Sequence, residues 1–316
     1  MGTTWHLSYV PTSDTPTADA VEESVQRALD AVNASMSTYQ QDSEISRFNR
    51  APGESWVSLS AEFMQVLDTA LEVGAQSAGA YDVTVAPLVD LWGFGPVGAL
   101  VEPPAPEAIE HALSRVGQTR IQTDPEGMQA SKPAGVSLDF SSIAKGFAVD
   151  QAALALRSEG VSRFLLEVGG EMALSGLSGR GDPWRVAIED PASTGREVAA
   201  VLSITDIALA TSGEYRNYFE YDGQRYSHSI DPRSGWPVAH DLVSVTVVHE
   251  SAMLADAWAT ALIVLGAAEA PAVAESKGLA VYFIRRGAEG LIHSHTSALE
   301  QHLPDSERAR GPGDAL

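Results

Sequence analysis

Apolar residues recur at helical spacing early in the chain. Val21, Val25, Ala28, Leu29 and Val32 fall within residues 19–36 and predict an amphipathic helix with one face in a core. Ahead of it, residues 4–10 alternate and predict a short strand. Residues 37–49 are polar and turn-like, with aromatics embedded. Ser60-Ala61-Glu62-Phe63 resembles a capping start, and a long helix should follow to about Ala78. Residues 81–85 read as a strand ended by Pro87. Residues 93–106 are rich in Gly and Pro and form a loop, and a helix should cover 106–116. Residues 120–137 should make a hairpin of exposed strands, and 138–143 lead into a helix over 144–159. Further strands are expected at 164–168, 184–188, 198–204, 218–221, 242–248 and 279–284. Helices are expected at 252–266 and 268–276.

Strands and helices interleave without a regular βαβ rhythm or an internal repeat. The expectation is an α+β fold with mixed sheets and packed helices. Residues 1–298 should form a single domain with no clear linker. The charged, Pro- and Gly-containing end, residues 299–316, should be a flexible tail.

Composition narrows the chemistry. The chain has 316 residues, 44% of them hydrophobic, enough for a sizeable core. It carries 20 Lys and Arg against 42 Asp and Glu, a formal charge of −22. Such an acidic surface argues against nucleic acid or an anionic membrane as the main partner. A phosphate-bearing small molecule remains admissible if a metal ion supplies positive charge locally. There is no cysteine, so disulfides, thiolate nucleophiles and metal–thiolate sites are excluded. No uninterrupted run of about 18 apolar residues is present, so no transmembrane segment is expected. No charged n-region and apolar h-region open the chain, so no signal peptide is read in it.

Against that background, Ala255-Asp256-Ala257-Trp258-Ala259-Thr260-Ala261 stands out. Asp256 and Thr260 lie four residues apart in an otherwise apolar stretch, and on a helix they share one face. Carboxylate and hydroxyl oxygens suit a hard cation such as Mg²⁺. The other reading makes Asp256 the cap of a helix starting there, with Thr260 bonding back to the chain. Ser141 and Ser142 precede the helix from Ala144, with Lys145 and Gly146 in its first turn. Free N–H groups, hydroxyls and an ammonium group there could seat an anion or a metal phosphate. An ordinary cap beside a solvated lysine would look the same. His228 sits between serines before the Asp231-Pro232 turn and is a candidate general base or a surface histidine. Arg216 and Arg233 could bind phosphate or pair with carboxylates. Tyr81, Trp92 and Phe94 could wall a flat ligand or fill a core corner. Gly169-Gly170-Glu171 is a tight turn and not a dinucleotide fingerprint.

Taken in order, these stretches resemble the FAD:protein FMN transferases, the ApbE-type flavin transferases. The resemblance runs from Met1-Gly2-Thr3 to about Gly266. It takes in Ser37-Thr38-Tyr39, residues 43–49, Tyr81-Asp82-Val83-Thr84, residues 139–150, Val168-Gly169-Gly170-Glu171, residues 211–215, His228 to Pro232 and residues 256–261. It implies a bilobal fold with the flavin between the lobes. It implies FAD as substrate, Mg²⁺ at its pyrophosphate, transfer of FMN to a Thr or Ser hydroxyl of an acceptor protein, and release of AMP. By position, Met1, Tyr39, Ala80, Tyr81, Asp82, Asp139, Lys145 and Ile230 match flavin contacts. Asp256, Thr260 and Ser142 match metal ligands, with the Ala144 carbonyl as another, and His228 matches the catalytic histidine. Glu167 and Glu171 stand where relatives often carry Asn and Asp. The resemblance further implies a membrane redox subunit as acceptor. It implies a place in the periplasm or at the extracytoplasmic face of the inner membrane, with the cytoplasm as the alternative. Two rival activities use the same ligand: FAD pyrophosphatase, with water as nucleophile, and non-catalytic FAD binding.

Overall fold

The computed structural model describes residues 2–96, 98, 100, 102–191, 197–214 and 217–304. The chain forms two compact units. One comprises Met1–Asp30, Lys145–Gly213 and Asp241–Leu316, the other Ala31–Ala144 and Glu214–His240.

The first unit is built on a seven-stranded sheet. Its spatial order is Trp5–Tyr9, Phe164–Val168, Glu171–Ser175, Ile207–Gly213, Leu242–His249, Ala280–Arg286 and Leu291–His295. Neighbours are antiparallel throughout. Gly169 and Gly170 both have positive φ, 61° and 107°, and Val168 faces Glu171 across them. That is the backbone a two-residue hairpin turn requires. The strand Glu171–Ser175 that returns from this turn was not anticipated from its sequence. Leu174, Leu209, Val248, Tyr282 and Ile284 pack with Val186, Ile188, Leu202 and Ile204 of the ribbon Trp184–Glu189/Val198–Ile204. Alternation puts Ala208, Ala210 and Ser212 on the other face of their strand. There the helix Ala252–Ser276 packs, and Ser212 Oγ lies 3.3 Å from Thr260 Oγ1.

The two helices expected at 252–266 and 268–276 run end to end as one element with a break at Gly266 (φ 75°, ψ 173°). By length and apolarity this element could cross a membrane, but most of its residues are buried within the protein. Residues 299–304 depart from the expected flexible tail. Ser297–His302 forms a 3₁₀ turn, with Leu299 and Leu303 buried in the ribbon core. The rest of that tail, 305–316, lies outside the described residues.

The second unit holds the helices Glu44–Arg50, Ala61–Gln76, Ala86–Leu91 and Pro106–Leu113. Ser60 caps the second, its Oγ accepting from Phe63 N at 3.2 Å. Residues 44–50, expected as a turn, are helical because Ser43 caps them in the same way, at 3.2 Å from Ser46 N. The hairpin of Gln122–Asp124 and Gln129–Ser131 is present, but Val57–Ser58 pairs with its second strand and buries Ala130 and Ser131. Phe48, Phe63 and Phe140 form an aromatic core, with centroids 6.0 and 5.0 Å apart. A second core gathers Leu88, Trp92, Ile109, Ala112, Tyr226 and Ile230.

Residues 81–85 are not a strand. Asp82 Oδ1 accepts from Thr84 N at 2.7 Å and from Thr84 Oγ1 at 2.6 Å, and Asp82 Oδ2 accepts from Gln118 N at 2.9 Å. A side chain that satisfies its own downstream backbone makes a turn cheaper than a ladder. Pro87 then sits in the first turn of the next helix, where it lacks nothing the helix needs.

Candidate functional site

In the first unit, two helix beginnings meet. The helix Ala144–Ser158 brings Lys145 and Gly146 in its first turn, and the helix Ala252–Ser276 brings Asp256 in its second. The latter helix is capped by Ser251, whose Oγ accepts from Leu254 N at 3.3 Å. Asp256 therefore does not cap its own helix. Its Oδ2 accepts instead from Gly146 N at 3.0 Å, and its Oδ1 lies 3.8 Å from Lys145 Nζ. Glycine is required at 146, because a Cβ there would stand 2.2 Å from the Ala252 carbonyl oxygen and 2.8 Å from Asp256 Cβ.

The strand opened by Gly169-Gly170 delivers Glu171 to the same place. Glu171 Oε1 accepts a short hydrogen bond from Lys145 Nζ, while Oε2 is buried and has no hydrogen-bond partner. The solvated-lysine reading of residue 145 thus fails. Its side chain is about one-third exposed, at 32%, and it bridges two buried carboxylates. Burial lowers the lysine pKa, but Asp256 and Glu171 outweigh it and raise the value above the ordinary one. Burial pushes Glu171 up to about 7 against the pull of Lys145, with Asp256 adding to the rise. Burial likewise raises Asp256, opposed by Lys145 and the Gly146 N–H. Two desolvated carboxylates share one cation, an arrangement with room for more positive charge.

Donor chemistry sets what that charge could be. Among the described residues no three His, Asp or Glu side chains gather as a metal cage. Asp256 and Thr260, one helical turn apart, offer oxygen only, which fits a hard cation completed by further oxygen donors. Glu171 Oε2, buried in the same corner, makes no hydrogen bond within the protein and so keeps an acceptor site open.

The remaining sequence-derived candidates belong to the second unit, apart from Met1, which lies outside the described residues. Ser142 donates to the Tyr81 hydroxyl at 3.0 Å. Asp139 Oδ1 accepts from Ser141 N at 2.7 Å, and its own N–H donates to the Val83 carbonyl at 2.8 Å. Ala80, Tyr81 and Ile230 are buried, so Ala80 and Ile230 offer a ligand backbone atoms only. Tyr39 is 71% exposed. Tyr81 and Trp92 are both packed inside the second unit. Tyr81 is buried, and Trp92 stacks on Tyr226 at 5.6 Å and donates to the Gly235 carbonyl at 2.9 Å. Arg233 pairs with Asp231, Nη2 to Oδ2 at 2.8 Å, and Arg216 lies outside the described residues.

His228 follows the strand Gln224–Ser227, with the Phe94 ring edge-on at 6.3 Å. Its Nδ1 lies 3.1 Å from the Asn217 carbonyl oxygen. A carbonyl only accepts, so Nδ1 donates in this contact, and in a neutral imidazole the lone pair is then on Nε2.

The fold is α+β, and in its first unit Asp256, Thr260 and Glu171 offer oxygen donors beside the Lys145 ammonium group. Residues 1–283 match the model of the ApbE family. The chain is 41% identical over 307 residues to the FAD:protein FMN transferase of Haemophilus influenzae, covering 95% of this chain and 89% of that protein. The FAD:protein FMN transferase of Escherichia coli K12 is also 41% identical, over 90% of this chain and 82% of its own length. Among solved structures, the flavin transferase ApbE from Vibrio cholerae superposes with a TM-score of 0.89 at 37% identity, over 96% of both chains. The ApbE protein from Thermotoga maritima does so with 0.84 at 26%, over 96% of this chain and all of that one. The chain belongs to the ApbE family, and it is a transferase.

Proposed function

We propose that this protein moves the FMN half of FAD onto a Thr or Ser hydroxyl of an acceptor protein and releases AMP, with Mg²⁺ held by Asp256 and Thr260 and completed by Ser142 and the Ala144 carbonyl. The observation that carries the reading is the buried Asp256 carboxylate, one turn from Thr260 and beside Lys145. The FAD:protein FMN transferases among its relatives support the substrate and the transferred group.

In this reading the acceptor oxygen forms a bond to the FMN phosphorus. The bond from that phosphorus to the bridging oxygen breaks, and AMP departs with that oxygen. Nε2 of His228 takes the acceptor proton, a role its tautomer prepares. Lys145, held protonated by two carboxylates, adds charge at the pyrophosphate. Bound Mg²⁺ would neutralise the developing charge on the leaving group. Tyr39, Asp139 and the backbone of the turn Ala80-Tyr81-Asp82 would contact the flavin nucleotide, together with Met1 and Ile230.

The test mixes purified protein with FAD, Mg²⁺ and a flavin-accepting protein domain, and reads covalent flavin as fluorescence on a denaturing gel. Labelling by the wild type, abolished by chelator and by His228→Gly, is expected. Free FMN and AMP without any labelled acceptor would make the chain a pyrophosphatase instead.

A further inference from the structure

The two helices that carry Lys145 and Asp256 cap each other. Asp256, on the second, accepts the Gly146 N–H in the first turn of the first. Asp150, one turn further along the first helix, returns the favour at the start of the second. Its Oδ1 accepts from Ala252 N at 2.8 Å, and its Oδ2 from Met253 N at 3.0 Å and Ser251 Oγ at 2.7 Å. The first N–H groups of a helix have no partner within it, and a carboxylate also complements the positive end of its dipole. Gly146 and Asp150 are four apart, as are Ala252 and Asp256, so both exchanges lie on one face of each helix.

We infer that Asp150 is the positioning residue for Asp256: it fixes the register of the two helices and thereby where the Asp256 carboxylate stands. The cap at Ser251 secures the second helix by itself, whereas Asp150 supplies, among the described residues, the side-chain hydrogen bonds that tie its first turn to the helix that presents Lys145. Without that tie the second helix can slide or roll against the first, and the Gly146–Asp256 bond loosens. The missing side chain at Gly146 lets the backbones touch, so the bonds of Asp150 and Asp256 set their register at close range. The consequence for a bound cation rests on the metal reading given above. The consequence for Gly146 does not.

The experiment follows the Gly146 amide in ¹⁵N-glycine-labelled protein by hydrogen exchange, referenced to Gly74 in the helix Ala61–Gln76, and measures Mn²⁺ affinity by EPR titration. In Asp150→Ala, Gly146 should exchange at least about tenfold faster relative to Gly74, and Mn²⁺ should bind about tenfold more weakly, the usual scale for residues that orient a ligand. Asp150→Asn, which keeps one acceptor oxygen, should fall between, and it carries the comparison if the alanine variant does not fold. Ser251→Ala removes the hydroxyl but leaves both backbone bonds to Asp150, so Gly146 and Mn²⁺ should behave as in the wild type. Wild-type protection of Gly146 in the Asp150 variants, or an equal loss in Ser251→Ala, overturns the inference. A wild type that binds no Mn²⁺ overturns the metal reading alone, and Gly146 exchange still decides the role of Asp150.

Discussion

Asp82 and Glu171 are both acidic residues beside a tight turn, one in each unit, and they are treated in opposite ways. Asp82 has both oxygens committed, to Thr84 and Gln118, and Thr84 Oγ1 in turn accepts from Gly117 N at 2.7 Å. Glu171 has one oxygen on Lys145 and one on nothing. The first network is closed and holds a turn in shape. The second is open, with two buried carboxylates on one lysine, a state that costs stability and that proteins keep where charge must be received. Chemical type alone does not separate the two acids. Whether their lone pairs are satisfied does.

The widest separation should come from Asp256→Asn. The amide still accepts from Gly146 N, so the fold should hold, while flavin transfer to an acceptor should fall about 10²–10³-fold. Circular dichroism beside a labelling assay reads both. Asp82→Ala should show the reverse. Loss of three hydrogen bonds around a turn should lower stability by about 2–3 kcal/mol in chemical denaturation, with a smaller effect on the turnover of the folded fraction. An Asp82 variant that is stable but inactive would erase the contrast.

The smallest effect concerns pH. Glu171 titrates near 7 when folded, above its ordinary 4.5. As pH rises from about 4.5 to about 7, the unfolded chain gives up this proton while the folded chain keeps it, so stability falls across that window. Lys145 is raised above the usual lysine value and stays charged throughout the window. Melting temperature should therefore decline from pH 5 to pH 7.5 in the wild type and decline less in Glu171→Gln. Equal slopes would mean that Glu171 is not the open end of the network.

The long helices were legible because periodicity is a local signal, and Asp256 stood out as a carboxylate in an apolar run, but the short helices Glu44–Arg50 and Ala86–Leu91 offered too few turns to show a period. The break near Gly266 was legible too, for only glycine takes that backbone. The strand Ile207–Gly213 was not. Its Ala208 and Ala210 are small so that a helix can approach, and this removes the β-branched signature of a strand. Glu171 and Asp150 were visible as residues, yet their work depends on partners far along the chain, Lys145 for one and Ala252 for the other. The Gly-Gly pair before Glu171 was the one signal that could have drawn the returning strand. Asp150 could have been suspected as an acid in an otherwise apolar helix face.

Gly266 has a mechanical consequence as well. Two rods joined at a non-helical residue share no continuous helical backbone, so a distortion after residue 266, where Pro271 lies, does not run along the helix to the turn that holds Asp256. Precision at one end of this long element is thereby insulated from wear at the other.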